Sequence, residues 1–290
     1  MRTRFAPSPT GPLHLGHAFS AITAFEIARA ARGEFLLRIE DTDRARSKLE
    51  FEEAIQDDLH WLGLPWPSPV WRQSERLAIY EAALNRLIEL DLVYPCSCTR
   101  ADINAALSAP QEGVTHLPPD AHVYPGTCRH RPISSRSTSD ALRLDLAKAL
   151  DLTGPPSFSE VGPIKTGAHE WSRDSMRADI GDVVLYRRDI KTAAYHLSVV
   201  VDDAAQEITH VIRGMDLFEA TPVQRVLQTL LNLPAPIYHH HRLIRDETGK
   251  RLAKRDDARA IAAYREAGAT PGEIRNMLDL PSGIAASRAE

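Results

Sequence analysis

Arg4-Phe5-Ala6-Pro7-Ser8-Pro9-Thr10-Gly11-Pro12-Leu13-His14-Leu15-Gly16-His17, with Phe35-Leu36-Leu37-Arg38-Ile39-Glu40 one helix later, is the stretch that decides the fold. Arg2 to Ala6 is short and β-like, and Pro7 to Pro12 is a stiff loop. Leu15 to Ala31 places Ala18, Ile22, Phe25 and Ala28 on one helical face and stops at Gly33. Phe35 to Glu40 reads as a buried strand. Strand, loop, helix and strand in succession form a βαβ unit. The expected fold class is therefore α/β, with a parallel, nucleotide-binding sheet.

Beyond this unit, Ser47 to Leu62 and Ser74 to Leu90 read as helices, the second with Ser74 as its N-cap. From Cys96 to about Asp179 the periodicity weakens and turn-formers cluster, as in Leu117-Pro118-Pro119-Asp120, so an inserted subdomain is expected there. Regular patterning resumes with Asp182 to Tyr186, a helix from Ala194 to Val201 and the strand Ile208 to Arg213. Thr221-Pro222 opens a further helix, and Tyr238 to Ile244 is a last strand.

The net charge of -4 gives no global basic field, so nucleic acid would have to be held by a local patch, for which Arg129, Arg131 and Arg136 are candidates. Neither an apolar leader nor a run of membrane-spanning length is present, so a cytoplasmic protein without membrane contact is expected. Three cysteines, two of them in Cys96-Ser97-Cys98, point to a metal site in a reducing compartment rather than a disulfide framework. Cys128 would join them, leaving a fourth place for which His116, His122 and His130 compete on general grounds. Buried apolar cysteines are the plain alternative.

His14 and His17 lie three apart at a loop-to-helix junction. Free N–H groups and the positive end of the helix dipole suit a polyphosphate there, and Gly16 permits close backbone approach. Two helix-capping histidines would be the plainer reading. Lys250 to Arg255, after Gly249, is a basic loop that could close on phosphates or merely be solvated. His239, His240 and His241 alternate sides of a strand, so they cannot share one metal, though one could lie near a nucleotide.

Taken together, residues 4 to 17 with their His14–His17 "HIGH" element resemble the class I glutamyl and glutaminyl aminoacyl-tRNA synthetases. The likeness continues at Arg38-Ile39-Glu40-Asp41-Thr42-Asp43, at Tyr195 to Asp203, and at Ile212-Arg213-Gly214-Met215-Asp216-Leu217. It ends at Gly249 to Arg255, similar to the "KMSKS" loop. Five elements in family order make chance agreement improbable. The resemblance implies a Rossmann-type catalytic domain over 1–95 and 180–256, a zinc-bearing insertion over 96–179, and a short helical segment over 257–290. It implies a ligase that forms an aminoacyl-adenylate from ATP with Mg²⁺, with His14, His17 and Lys254 catalytic and His14, Gly16, His17 and Lys254 on ATP. Charge developing on the phosphates is what such donors and cations stabilise.

For the amino acid, an ammonium and two carboxylates call for one acid and about two bases, a set that Arg4, Glu40 and Arg213 supply at strand ends. By resemblance Arg4, Ala6 and Ser8 touch glutamate, Glu40 holds its ammonium, and Tyr195 and Arg213 close over its side chain. Cys96, Cys98, Tyr124 and Cys128 would bind one Zn²⁺, Tyr124 being the family's fourth ligand. Three positions depart from the pattern: Arg251 stands for the first Lys of the loop, Ala253 for its Ser, and Val199 for a frequent Asn. With 35 residues after Arg255 and no room for anticodon domains, the chain resembles the short paralogues, the glutamyl-queuosine tRNA(Asp) synthetases. These imply tRNA-independent activation of glutamate, transfer to the queuosine base of the tRNA(Asp) anticodon, and a monomer. A truncated glutamyl-tRNA synthetase charging a tRNA 3′ end, or a non-catalytic RNA-binding relic, are the alternatives.

Overall fold

A computed structural model describes residues 1–108, 123–245 and 259–281. The chain opens with β1 (Arg2–Phe5), α1 (Leu15–Ala30), β2 (Glu34–Ile39), α2 (Leu49–Trp61) and β3 (Trp71–Arg72). Then come α3 (Leu77–Glu89), β4 (Val93–Cys96), α4 (Arg100–Ser108), β5 (Ala141–Leu144) and α5 (Leu146–Thr153). The hairpin β6 (Ser157–Glu160) and β7 (Gly167–Glu170) leads through α6 (Arg173–Ser175) to β8 (Val184–Arg187) and β9 (Thr192–Ala193). The last stretch holds α7 (Tyr195–Ala205), β10 (His210–Gly214), α8 (Thr221–Leu230), β11 (Ile237–His241), α9 (Ile261–Glu266) and α10 (Pro271–Met277).

β1, β2 and β3 are parallel, as the opening βαβ pattern requires. β10 and β11 are a second parallel pair, with β6 parallel on the far side of β11 and β7 antiparallel beyond it. The two sets meet where the Thr209 N–H donates to the Arg2 carbonyl at 3.0 Å, so β10 lies beside β1. Helix α1 covers this junction through Ala18, Ala21, Ile22, Ala24 and Ala28, all buried; small side chains let the helix approach the sheet closely. Phe25, placed on that face by periodicity, is only half-buried and meets Phe35 edge-on at 5.6 Å.

Within residues 96–179, β6 joins the parallel sheet, while β5 pairs antiparallel with β4 and β8. Ser74 does not cap α3. It sits in a 3₁₀ turn over Gln73–Glu75, and Arg76 holds the cap place without a side-chain bond. Ser74 instead gives its N–H and Oγ–H to the two oxygens of Asp41, at 2.8 and 2.6 Å. A carboxylate brought by tertiary contact outcompetes a local cap, since charge-assisted bonds are the stronger. None of the described helices is long and apolar enough to cross a membrane.

Candidate active site and metal centre

A cleft of about 530 Å³ opens where β1 and β10 end and α1 begins. Arg4, Ala6, Ser8, His14, Gly16, His17, Glu40, Tyr195 and Arg213 all line it. These nine residues come from four separate stretches of chain, and the sheet brings them to one place at its strand ends, where ligands bind in such folds.

The HIGH element is built as a reciprocal cap. His14 Nδ1 accepts from the Gly16 N–H at 3.1 Å, and His17 Nδ1 accepts from the His14 N–H at 3.2 Å. Acceptance at Nδ1 places the proton of each neutral ring on Nε2, which makes Nε2 the donor. Capping thus uses Nδ1 of each ring, and a phosphate at this helix end would meet Nε2. Gly16 is needed on the inside as well: a Cβ there would stand 3.0 Å from the His14 ring. Beyond the basic loop, the Ile261 N–H returns to the Leu13 carbonyl at 2.8 Å and Ala260 bridges His14. Lys250 to Arg255, with Lys254, lie outside the described residues; Ile244 lines the cleft on one side of them and Ala260 lies against it on the other.

The Arg4–Glu40 side of the cleft is a buried charge network. Asp203 takes Arg4 Nε and Nη2 at 2.9 and 3.2 Å and Arg38 Nη1 at 2.8 Å. Arg38, fully buried, also reaches Glu40 at 3.2 Å and Gln206 at 2.9 Å. Burial raises the Glu40 carboxyl above the usual range, against the pull of Arg38 and Arg4. An ammonium beside it would favour the carboxylate and oppose that rise. Asp202 is held by Tyr80, Arg76 and Gln73 at 2.7, 2.7 and 2.9 Å, which anchors α7 and hence Tyr195 at its first turn. Val199 points into the hydrophobic core beside α8. Arg213 binds Thr221 Oγ1 at 2.7 Å, Gln224 Oε1 at 2.8 Å and His240 Nε2 at 3.0 Å, all neutral acceptors. Sequence reasoning gave no role to Arg38, Asp203, Thr221, Gln224 or Glu160. Arg38 and Asp203 stood inside quoted motifs, and Thr221 was read only as a helix start; Gln224 and Glu160 carried no local signal. His241 reaches Ser20 at 2.6 Å across the cleft, so of the three histidines it is the one that lines it, while His240 turns inward.

A second cluster stands apart. The sulfurs of Cys96, Cys98 and Cys128 lie within 4.8 Å of one another, and Cys98 and Cys128 are 3.5 Å apart. The Tyr124 hydroxyl is 3.4 Å from Cys96 Sγ and 3.5 Å from Cys98 Sγ. Edges of about 3.5–3.8 Å are those of a tetrahedron around a cation with bonds near 2.3 Å to sulfur. These four residues can therefore hold a metal ion. Burial and the neighbouring thiols push the Tyr124 phenol far above its ordinary value, and a bound dication would reverse that. Of the competing ligands, His116 and His122 lie outside the described residues. Arg129 and Arg131, candidates for RNA contact, are paired with the buried Asp182 and Asp140 at 2.7 and 2.9 Å.

Residues 1–288 match the sequence profile of tRNA synthetases class I (E and Q), catalytic domain. The chain is 58% identical to the Glutamyl-Q tRNA(Asp) synthetase of Rhodobacter capsulatus over 97% of this chain and 100% of that protein. It is 38% identical to the Glutamate--tRNA ligase of Aquifex aeolicus, covering 97% of this chain and 57% of that one. The crystal structure of a glutamate tRNA ligase from Elizabethkingia meningosepticum, in complex with its amino acid, superposes with a TM-score of 0.73 at 28% identity. That match covers 96% of this chain and 60% of the ligase. With a profile match over nearly its whole length and a cleft that gathers the family's motif residues, the chain belongs to the class I glutamyl and glutaminyl tRNA synthetase family of ligases, among the glutamyl-Q tRNA(Asp) synthetases.

Proposed function

We propose that this chain activates glutamate with ATP, without tRNA, and passes it from glutamyl-adenylate to the queuosine base in the anticodon of tRNA(Asp). The observation that carries this reading is the 58% identity to the R. capsulatus protein over its full length. The cleft supports the first step. His14 and His17 sit at the helix N-terminus for the phosphates of ATP, with Mg²⁺ as counter-ion, and Lys254 would close on pyrophosphate from the loop between Ile244 and Ala260. Glu40 would take the ammonium, and Arg4, Ala6, Ser8, Tyr195 and Arg213 the rest of the amino acid. Donors and cations fixed around the α-phosphate stabilise the charge that develops there. Cys96, Cys98, Cys128 and Tyr124 would hold one Zn²⁺ in a closed site whose role is structural, since four protein ligands leave no open position. A cytoplasmic setting, where ATP and tRNA are found, accords with this reading.

The test is transfer of labelled glutamate to tRNA(Asp) with and without queuosine, and to tRNA(Glu). Labelling of only the queuosine-containing tRNA(Asp), after adenylate formation from ATP and glutamate alone, is the expected result. Queuosine-independent charging of the tRNA(Glu) 3′ end would replace this reading with that of a glutamate–tRNA ligase.

A further inference from the structure

We infer that His240 is a positioning residue, locked as a neutral hydrogen-bond acceptor by Glu160, which aims Arg213 at the acidic side chain of the amino acid and sets the preference for glutamate over glutamine. This rests on the reading of Arg213 as a glutamate ligand.

A guanidinium has five N–H donors. In Arg213 three are spent: Nε on His240, one Nη1 hydrogen on Gln224 and one Nη2 hydrogen on Thr221. One hydrogen remains on each terminal nitrogen of this side chain, which lines the cleft, and two such donors are what a guanidinium uses to grip a carboxylate. All three partners are neutral, and Arg213 forms no ion pair among the described residues. Arg4 differs, because Asp203 meets its charge. Arg213 is thus the guanidinium whose positive charge remains for the substrate, where an amide would be a poorer match than a carboxylate.

This arrangement needs His240 to present a lone pair at Nε2. The ring must carry its proton on Nδ1, and Nδ1 faces Glu160 Oε2 at hydrogen-bonding distance. Glu160 is itself fixed by the backbone. Its Oε1 accepts from the His240 N–H at 2.9 Å and the Gly162 N–H at 2.6 Å. Gly162 admits no side chain, for a Cβ would stand 2.5 Å from the His240 carbonyl oxygen and 2.6 Å from Glu160 Oε1. Both His240 and Glu160 are buried, so water cannot substitute for either. Burial and the Arg213 charge also hold the imidazole far below its ordinary pKa, in the neutral form.

The geometry makes an isosteric change informative. In Glu160→Gln the two backbone N–H groups would still claim the oxygen, so the amide NH₂ would face Nδ1. That NH₂ donates, which moves the ring proton to Nε2 and sets N–H against the N–H of Arg213. His240→Phe removes the acceptor, while His240→Gln can return one at the Nε2 position. We would measure ATP–pyrophosphate exchange with glutamate and with glutamine for these three variants and for Arg213→Ala. Glu160→Gln and His240→Phe should each raise KM for glutamate by about tenfold, the worth of one hydrogen bond to a charged group. The glutamate-to-glutamine ratio of kcat/KM should fall by a similar factor, with KM for ATP unchanged and partial recovery in His240→Gln. If His240→Phe fails to fold, the other two variants carry the test. If Arg213→Ala raises KM for glutamate but Glu160→Gln and the His240 variants stay within twofold of the parent, the relay is refuted and the glutamate reading stands. Equal loss of affinity for ATP and glutamate, without recovery in His240→Gln, would mean packing alone and would also refute it. An unchanged KM for glutamate in Arg213→Ala would remove both.

Discussion

Replacing Asp203 by Asn probes the charge network that the cleft is built on. Asp203 is buried and accepts three charge-assisted hydrogen bonds, two from Arg4 and one from Arg38, themselves buried. Burial works against the carboxylate, but Arg4 and Arg38 more than offset it, and the group titrates below its ordinary range. Without the charge, Arg38 keeps Glu40 at 3.2 Å and Asp202 at 3.8 Å, while among the described residues Arg4 keeps one hydrogen bond, to the Ile212 carbonyl at 3.5 Å. Removing one partner of a buried pair costs about 3–5 kcal/mol. Asn retains one oxygen, so the lower end, about 3 kcal/mol, is expected. With a urea m-value of about 3 kcal/mol/M, the midpoint should fall by roughly 1 M at pH 7. The sign with pH follows from the lowered pKa. The carboxylate's contribution is fully present above the unfolded value of about 3.9 and is lost as pH falls through the folded value, so parent and variant should converge only in acid. Equilibrium unfolding monitored by circular dichroism at pH 7 and in acid reads both effects. A midpoint shift below about 0.3 M at pH 7 would mean the two guanidiniums do not depend on this carboxylate, and the account of the network would fail.

Three further outcomes are expected. Metal analysis should find about one zinc per chain, and Cys98→Ser should lose it; fully active, zinc-free protein would exclude the site. Lys254→Ala should cut glutamate-dependent ATP–pyrophosphate exchange by at least about a hundredfold with little change in glutamate binding, and an unaltered rate would mean the loop is misassigned. Asp58, buried with both oxygens lacking hydrogen bonds among the described residues and 3.9 Å from Arg265, has its carboxyl pushed up to about 6, chiefly by burial. Its charge therefore costs stability, fully above pH 6 and not at all below the unfolded value. Asp58→Asn should stabilise the protein by about 2–3 kcal/mol at pH 7.5, an effect that vanishes near pH 4; a destabilised variant at pH 7.5 would refute this.

The opening βαβ unit was legible because its determinants are local: the apolar face of α1, the junction at His14 to His17 and the strand before Glu40. The candidate site residues were legible for a different reason. Each lies in a short motif whose residue types match a chemical task, and the nine described residues named from sequence all line one cleft. Ser74 misled because its sequence neighbourhood looked like a cap while its partner, Asp41, comes from a loop 33 residues away. For Arg129 and Arg131 the sequence showed the basic run but not the partners, Asp182 and Asp140, that the fold sets against it.

What the sequence by itself determined was the α/β class, the order of the motifs and the inventory of charged and thiol groups, since periodicity, turn chemistry and motif spacing are properties of neighbouring residues. The tertiary structure alone decided how those charges are shared. Arg4 meets Asp203 across 199 residues, and His240 meets Glu160 across 80. Which guanidinium meets a carboxylate and which meets only neutral partners depends on burial and on distances of about 3 Å between elements that only the fold makes neighbours.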